Sequence, residues 1–259
     1  MTQTAAQPAK TVSLVKDPTG TPAVDLTKVR EQHPDLAKRA DKAGISLSRR
    51  NLAGVRAQAC LYLDHSRSMH GDYRSGAVQT IVERALGFAL QIDADGTVPV
   101  TPFDSRLWPT VDVTVDNHQG VVDRELWHRN KMGGTLMAPP FDHLLKEAKR
   151  AQMPLFAIVV GDGSPSDRSA TTNLVIELAN WPVFIKFLSV RPVDYLQELD
   201  DLEQKSGRSL IGRSTRKVDN VDAQDMPDPA GLSDLAFADK MVEEWDTWIA
   251  AATSAGILT

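Results

Sequence analysis

The sequence predicts a doubly wound α/β fold, with a mostly parallel, six-stranded sheet carrying helices on both faces. Three observations predict it. Ala57–Leu63, Pro154–Val160 and Val183–Val190 are nearly continuous apolar runs, the pattern of parallel strands covered on both sides. Segments of helical spacing separate them, as crossover connections between parallel strands require. The distinctive polar residues follow the apolar runs, at the carboxyl ends of strands where such sheets bind their ligands.

The elements read in order as follows. Residues 1–10 are small, polar and Pro-containing, which predicts a disordered tail. Thr11–Lys16 and Ala23–Thr27 are β-like and flank Asp17-Pro18-Thr19-Gly20, so a hairpin is expected. A polar helix over Leu36–Ala43 meets its stop signal at Gly44. Residues 11–55 are therefore expected to form an appendage, too short and too polar for a core of their own. The α/β domain is expected over residues 56–259. Within it, Ser75–Ile92 has helical spacing, and Gly96–Phe103 pairs with Leu107–Val115 as an antiparallel edge. Phe141–Ala151, Ser169–Ala179 and Val193–Gln204 are further helices. A weak strand is expected near Arg216–Val221, and Leu232–Ala251 closes the chain as one helix.

Composition narrows the function. The 259 residues are 42% hydrophobic and 24% charged, ordinary for a soluble globular protein. A net charge of −5 argues against a general binder of nucleic acid or anionic membranes. The single cysteine, Cys60, excludes an intrachain disulfide framework and a Cys-based zinc cluster. No apolar stretch approaches the roughly 20 residues needed to span a bilayer. The amino terminus lacks an apolar core of signal-peptide type, so a cytoplasmic location is expected.

Three loops carry the chemistry. Asp64-His65-Ser66-Arg67-Ser68 follows the first central strand, Gly133-Gly134-Thr135 precedes the Phe141 helix, and Gly161-Asp162-Gly163 ends the second. Asp64, Ser66, Ser68, Thr135 and Asp162 supply two carboxylates and three hydroxyls. Such hard oxygen donors suit Mg²⁺, Ca²⁺ or Mn²⁺ rather than zinc or copper. Alternate spacing lets one tight loop aim Asp64, Ser66 and Ser68 at a point. If one carboxylate stays behind a water, a bound divalent ion keeps positive charge and an open position. An Asp or Glu carboxylate from a partner protein is the expected last ligand.

Asp-x-Ser-x-Ser after a hydrophobic strand, a distant Gly-Thr and an Asp ending the next central strand together resemble the metal-ion-dependent adhesion site of von Willebrand factor A (vWA) domains. The resemblance implies a metal at the top of the sheet, with Asp64, Ser66, Ser68, Thr135 and Asp162 at its five positions. The stretch from Ala43-Gly44-Ile45-Ser46 through Leu61-Tyr62-Leu63-Asp64 is similar to bacterial tellurium-resistance proteins of the TerF type. So are Phe103-Asp104-Ser105, Val218-Asp219-Asn220 and the Trp-rich closing helix. That likeness covers about residues 40–252. It implies a role in tellurite or toxic-anion stress, within a multi-protein assembly at or near the inner membrane face. The Val12–Val29 stretch is similar to the opening of the TerD-like calcium-binding domain, whose remainder is absent. His65 stands where a small residue is usual and Arg67 where Gly is frequent; each is expected either to rim the metal pocket or to face solvent.

Other readings are weaker. Asp93-Ala94-Asp95-Gly96 lacks the later ligands of a calcium loop and reads as a helix-ending turn. His65 and His70 read as loop histidines rather than catalytic ones. Gly161-Asp162-Gly163-Ser164 is neither a nucleophile elbow nor a phosphate-binding loop. Glu198–Lys205 reads as a solvated helix face, Arg208–Lys217 as a surface loop, and Trp245 and Trp248 as packed side chains. The chain is accordingly expected not to be an enzyme but a divalent-metal-dependent protein-interaction module. A metal-dependent phosphoester hydrolase and a metal sensor or buffer without a partner are the alternatives.

Overall fold

A computed structural model describes residues 11–127, 132–202 and 216–259. Its centre is one six-stranded sheet in the order β3-β2-β1-β4-β5-β6. The strands are β1 (Gln58–Asp64), β2 (Thr97–Phe103), β3 (Val111–Thr114), β4 (Leu155–Gly161), β5 (Val183–Ser189) and β6 (Val221–Asp225). Every neighbouring pair is parallel except β2 with β3, which matches the expected antiparallel edge. The wholly buried β4 and β5 are the apolar runs themselves. β6 starts where the weak strand was expected to end.

Period-2 alternation sends side chains to two separate cores. Ala59, Leu61 and Leu63 of β1 and Phe156, Ile158 and Val160 of β4 enter the larger core. Helices α2 (Pro34–Arg49), α4 (Ala77–Ile92), α8 (Asp234–Val242) and α9 (Trp245–Ser254) fill that side. Tyr62, Ala157, Val159, Ile185 and Phe187 face the other way, into a core built with α5 (Ala138–Arg150), α6 (Arg168–Leu178) and α7 (Asp194–Asp200). The short helices α1 (Leu26–Gln32) and α3 (His70–Ser75) complete the set. Trp245 and Trp248 are buried as expected, Trp245 edge-on to Phe156 with ring centroids 4.9 Å apart.

The amino-terminal segment differs from the expectation. The two β-like runs do not form a hairpin. Val12 bridges Leu258 near the carboxyl terminus, Lys16 bridges Val55, and Val24 donates to Leu90 at the end of α4. The Asp17 carboxylate gathers Thr19 and Thr21 into a local turn, and the Asp17 N–H pairs with Gly54. Backbone groups freed from a hairpin are thereby satisfied by other parts of the chain. The predicted helix extends into the 16-residue α2, preceded by α1, and Leu36, Ala37, Ala40, Ala43 and Leu47 enter the larger core. Gly87 lets α2 and α4 meet, since a Cβ there would lie 2.9 Å from Cβ of Arg39. These residues are thus part of the sheet's helical cover, not an appendage outside it.

The closing helix is also two helices. Glu244 takes φ 60° between α8 and α9, turning the chain so that Trp245 points into the core. Lys186, in the middle of β5, explains why α8 stops there. Its buried ammonium donates to the carbonyls of Lys240 (2.8 Å) and Glu243 (2.9 Å) and pairs with its cross-strand neighbour Asp222. Of the expected surface loop Arg208–Lys217, residues 208–215 lie outside the described residues, as do 203–205 of the charged helix face. Arg216 is buried rather than solvent-facing, donating to Leu199 and Asp200 carbonyls. No described helix is long and apolar enough to cross a membrane.

Candidate metal centre

β1 delivers Asp64 to the carboxyl end of the sheet, and the chain then turns sharply. The Ser66 N–H closes that turn on Asp64 Oδ1 at 2.7 Å. The Ser66 and Ser68 hydroxyls lie 3.0 Å apart, and Ser68 donates to Asp162 Oδ1 at 2.8 Å. Four of the five expected positions are thus one hydrogen-bonded chain. Asp64 Oδ2 is buried and has no hydrogen-bond partner among the described residues. Gly161 makes room for it: a Cβ there would approach Oδ2 to 3.2 Å.

Thr135 joins through its backbone. Gly133 forms a parallel bridge with Ser66, and the Arg67 N–H donates to its carbonyl at 2.9 Å. The Thr135 carbonyl accepts from the Ser166 N–H (3.1 Å) and hydroxyl (3.2 Å). Asp167 locks the arrangement. Its carboxylate accepts from the N–H groups of Met137 (3.0 Å) and Ala138 (2.8 Å), capping α5 from another loop. Asp104 does the same from the β2–β3 turn, its carbonyl accepting from the Leu136 N–H at 2.9 Å.

Charge at the mouth is set by a residue outside the five. Arg191, just past β5, donates to Asp162 Oδ2 through one nitrogen and to Asp72 Oδ2 at 2.9 Å through another. Both oxygens of Asp162 are therefore engaged, one by Ser68 and one by Arg191. Burial pushes the Asp64 carboxyl up to about 7, against the opposing pull of the Ser66 hydrogen bonds. Burial also raises Asp162, while Ser68 and Arg191 lower it.

The model of a family described as the vWA domain found in the TerF C terminus matches residues 56–258. The chain belongs to this vWA-TerF-like family. It is 27% identical over 232 residues to the uncharacterized protein YcbR of Bacillus subtilis (strain 168), across 86% of this chain and 89% of that protein. Among solved structures it is similar to a manganese-loaded TRAP protein of Plasmodium vivax, at 12% identity and a TM-score of 0.46, over 73% of this chain and 72% of that one. It is also similar to VWA2, an ArnB paralog of Sulfolobus acidocaldarius, at 14% identity and a TM-score of 0.36. That match covers 51% of this chain and 34% of the archaeal one.

The residues present in this vWA-TerF-like chain fit a divalent cation. A carboxylate oxygen without a partner, buried at the end of a central strand, is costly unless a proton or a cation satisfies it. The donors are oxygens alone, which suits a hard ion. His65 neither rims this site nor faces solvent. It is buried between the rings of Tyr73 and Trp108, at 5.7 and 5.5 Å, with Nδ1 3.8 Å from Asp104. Arg67 is exposed, and His70 packs edge-on to Trp127.

Asp72, Asp167 and Arg191 escaped the sequence reading, and Asp104 entered it only within the Phe103-Asp104-Ser105 resemblance. Arg191 had a usable signal, its place directly after a central strand. Asp167 precedes α6 and reads locally as that helix's own cap; its carboxylate accepts from the Thr171 hydroxyl of α6 and also from two N–H groups at the start of α5. A separate acidic group, Asp200, Asp219 and Glu244, has carboxylate oxygens within 4.8 Å of one another. It lies at the opposite end of the sheet, where Arg216 pairs with Asp219 at 2.7 Å and supplies positive charge from within the fold.

Proposed function

We propose that this vWA-TerF-like domain is a divalent-cation-dependent protein-interaction module and not an enzyme. Asp64, Ser66 and Ser68 hold the ion, with Thr135 and Asp162 contributing directly or through water. A carboxylate from a protein partner completes the coordination. The observation that carries the reading is the buried, unpartnered Asp64 Oδ2, on a carboxylate tied through Ser66 and Ser68 to Asp162. When bound, the ion supplies a positive charge at an open coordination position. The chain's own residues fix the ligands in place: Ser66 orients Asp64, Ser68 orients Asp162, and Asp167 holds the Thr135 loop. Mg²⁺ is the expected ion, with Ca²⁺ and Mn²⁺ as competitors, since the oxygen donors discriminate weakly among them. Membership of a family named for the TerF C terminus supports a cytoplasmic role in tellurite or toxic-anion stress.

Isothermal titration of Mg²⁺, Mn²⁺ and Ca²⁺ into metal-free protein tests the site. One ion per chain, lost in Asp64→Ala, is the expected result. Equal behaviour of both proteins removes the mechanism. Metal-stimulated hydrolysis of a phosphoester that disappears in Asp64→Ala would instead make the domain a hydrolase. Metal binding without any metal-dependent partner would make it a sensor.

A further inference from the structure

The second face of the sheet is left partly open. Where α5 ends its cover, β1, β2 and β3 floor a cavity of about 720 Å³. That size is within the roughly 300–1,000 Å³ range of small-ligand sites. Its charge is one-sided. Asp93, Asp95, Asp112 and Glu147 line it, and among the described residues no Lys or Arg does. Asp93 is already committed, accepting from the N–H groups of Ala59 (2.8 Å) and Asp95 (3.1 Å). Asp95, Asp112 and Glu147 are exposed to the cavity, and Glu147 pairs with the exposed Arg150 at 3.7 Å. Hydroxyls stand between the charges: Thr101 and Thr110 pair at 2.7 Å, and Tyr62 bonds His143 Nδ1 at 2.8 Å. Pro99, Cys60 and Leu155 give the same surface an apolar component.

Two cationic ligands would answer this charge, and the spacing separates them. A metal ion needs carboxylate oxygens that converge. Among the described residues, only Asp200, Asp219 and Glu244 do so within 4.8 Å. The cavity's carboxylates are instead spread along it, on the α4–β2 turn, on β3 and on α5. We propose that this cavity binds a small aliphatic polyamine, its ammonium groups at Asp95, Asp112 and Glu147 and its methylenes against Pro99 and Cys60. Threonine and tyrosine oxygens accept the remaining N–H bonds. This site is independent of the Asp64 centre and holds whether or not that centre binds metal.

Calorimetric titration of spermidine, used as the probe, into the full chain with saturating Mg²⁺ tests the proposal. One spermidine per chain is expected, with an affinity that falls about tenfold in Asp112→Asn/Glu147→Gln through the loss of two charge contacts. Asp64→Ala leaves it unchanged. Glu31→Gln/Asp35→Asn, an exposed pair on α1 and α2, controls for net charge. All four side chains are exposed, so each variant folds. Cys60 is the chain's only thiol, so a methanethiosulfonate reagent reports directly on the cavity, and spermidine should slow its reaction. Absence of saturable binding, equal losses in the two charge pairs, or an unchanged Cys60 rate would each overturn the proposal.

Discussion

Arg191 and Asp162 form an ion pair across the mouth of the candidate metal site, joining the end of β5 to the end of β4. The guanidinium also reaches Asp72 on α3. A permanent cation thus occupies one oxygen of a carboxylate that an incoming ion would use. Removing it should tighten metal binding. Arg191→Ala is expected to raise Mg²⁺ affinity by a few-fold, on the order of 3–5, because a half-exposed charge contributes modestly. Side-by-side titration with the unaltered protein checks the sign, and weaker binding would make Arg191 a support for the site.

Asp64 should couple metal, protons and stability. Its folded-state carboxyl is raised from 3.8 to about 7, so the native metal-free protein binds more protons than the unfolded chain between those values. Stability from this group therefore falls as pH rises from about 4 to 7, with the full penalty above 7. An ion must displace that proton, so Mg²⁺ affinity should climb towards pH 7 and level off beyond it. Thermal unfolding between pH 5 and 8.5, in chelator and in Mg²⁺, measures both trends. Asp64→Asn should flatten the chelator curve and abolish the Mg²⁺ response.

Asp167 touches no predicted ligand oxygen, yet two backbone N–H groups behind Thr135 depend on it. Asp167→Ala should cost about 1 kcal/mol as the loss of a helix cap. It should also weaken metal binding while leaving all five ligands in the sequence. Asp167→Asn, which keeps an accepting oxygen, should recover part of both. If metal affinity stays intact in the alanine variant, the Thr135 loop is held by Ser166 and Asp104 alone.

Lys186 and Asp222 are a buried pair on adjacent strands, and Lys186 also satisfies two carbonyls at the end of α8. Lys186→Met leaves Asp222 with Gln224 as its remaining side-chain partner. The expected cost is about 3–5 kcal/mol, a drop in Tm of roughly 10 °C for a chain of this length. Lys186→Met/Asp222→Leu should lose much less, because neither charge is then stranded. Calorimetric melts of the three proteins decide it.

Residue pattern along the chain specifies the sheet and the loops that carry the candidate site. Strand runs such as Leu155–Gly161 are buried on both faces, so hydrophobicity alone marks them, and Asp64, Ser66 and Ser68 share one tight turn. Their relation is local, and local relations are legible in order along the chain. The β-like stretch around Val12 also looked local, yet its partner is Leu258, which no nearby residue announces. Glu244 breaks the last helix so that Trp245 can pack against Phe156, a choice made by the core rather than by helix propensity. Arg191, Asp72 and Asp167 reach the site from other elements, and their side chains are directed by contacts more than 20 residues away in sequence. Tertiary structure decided those features because each depends on where an unpaired polar group or an apolar ring could be satisfied once the sheet had closed.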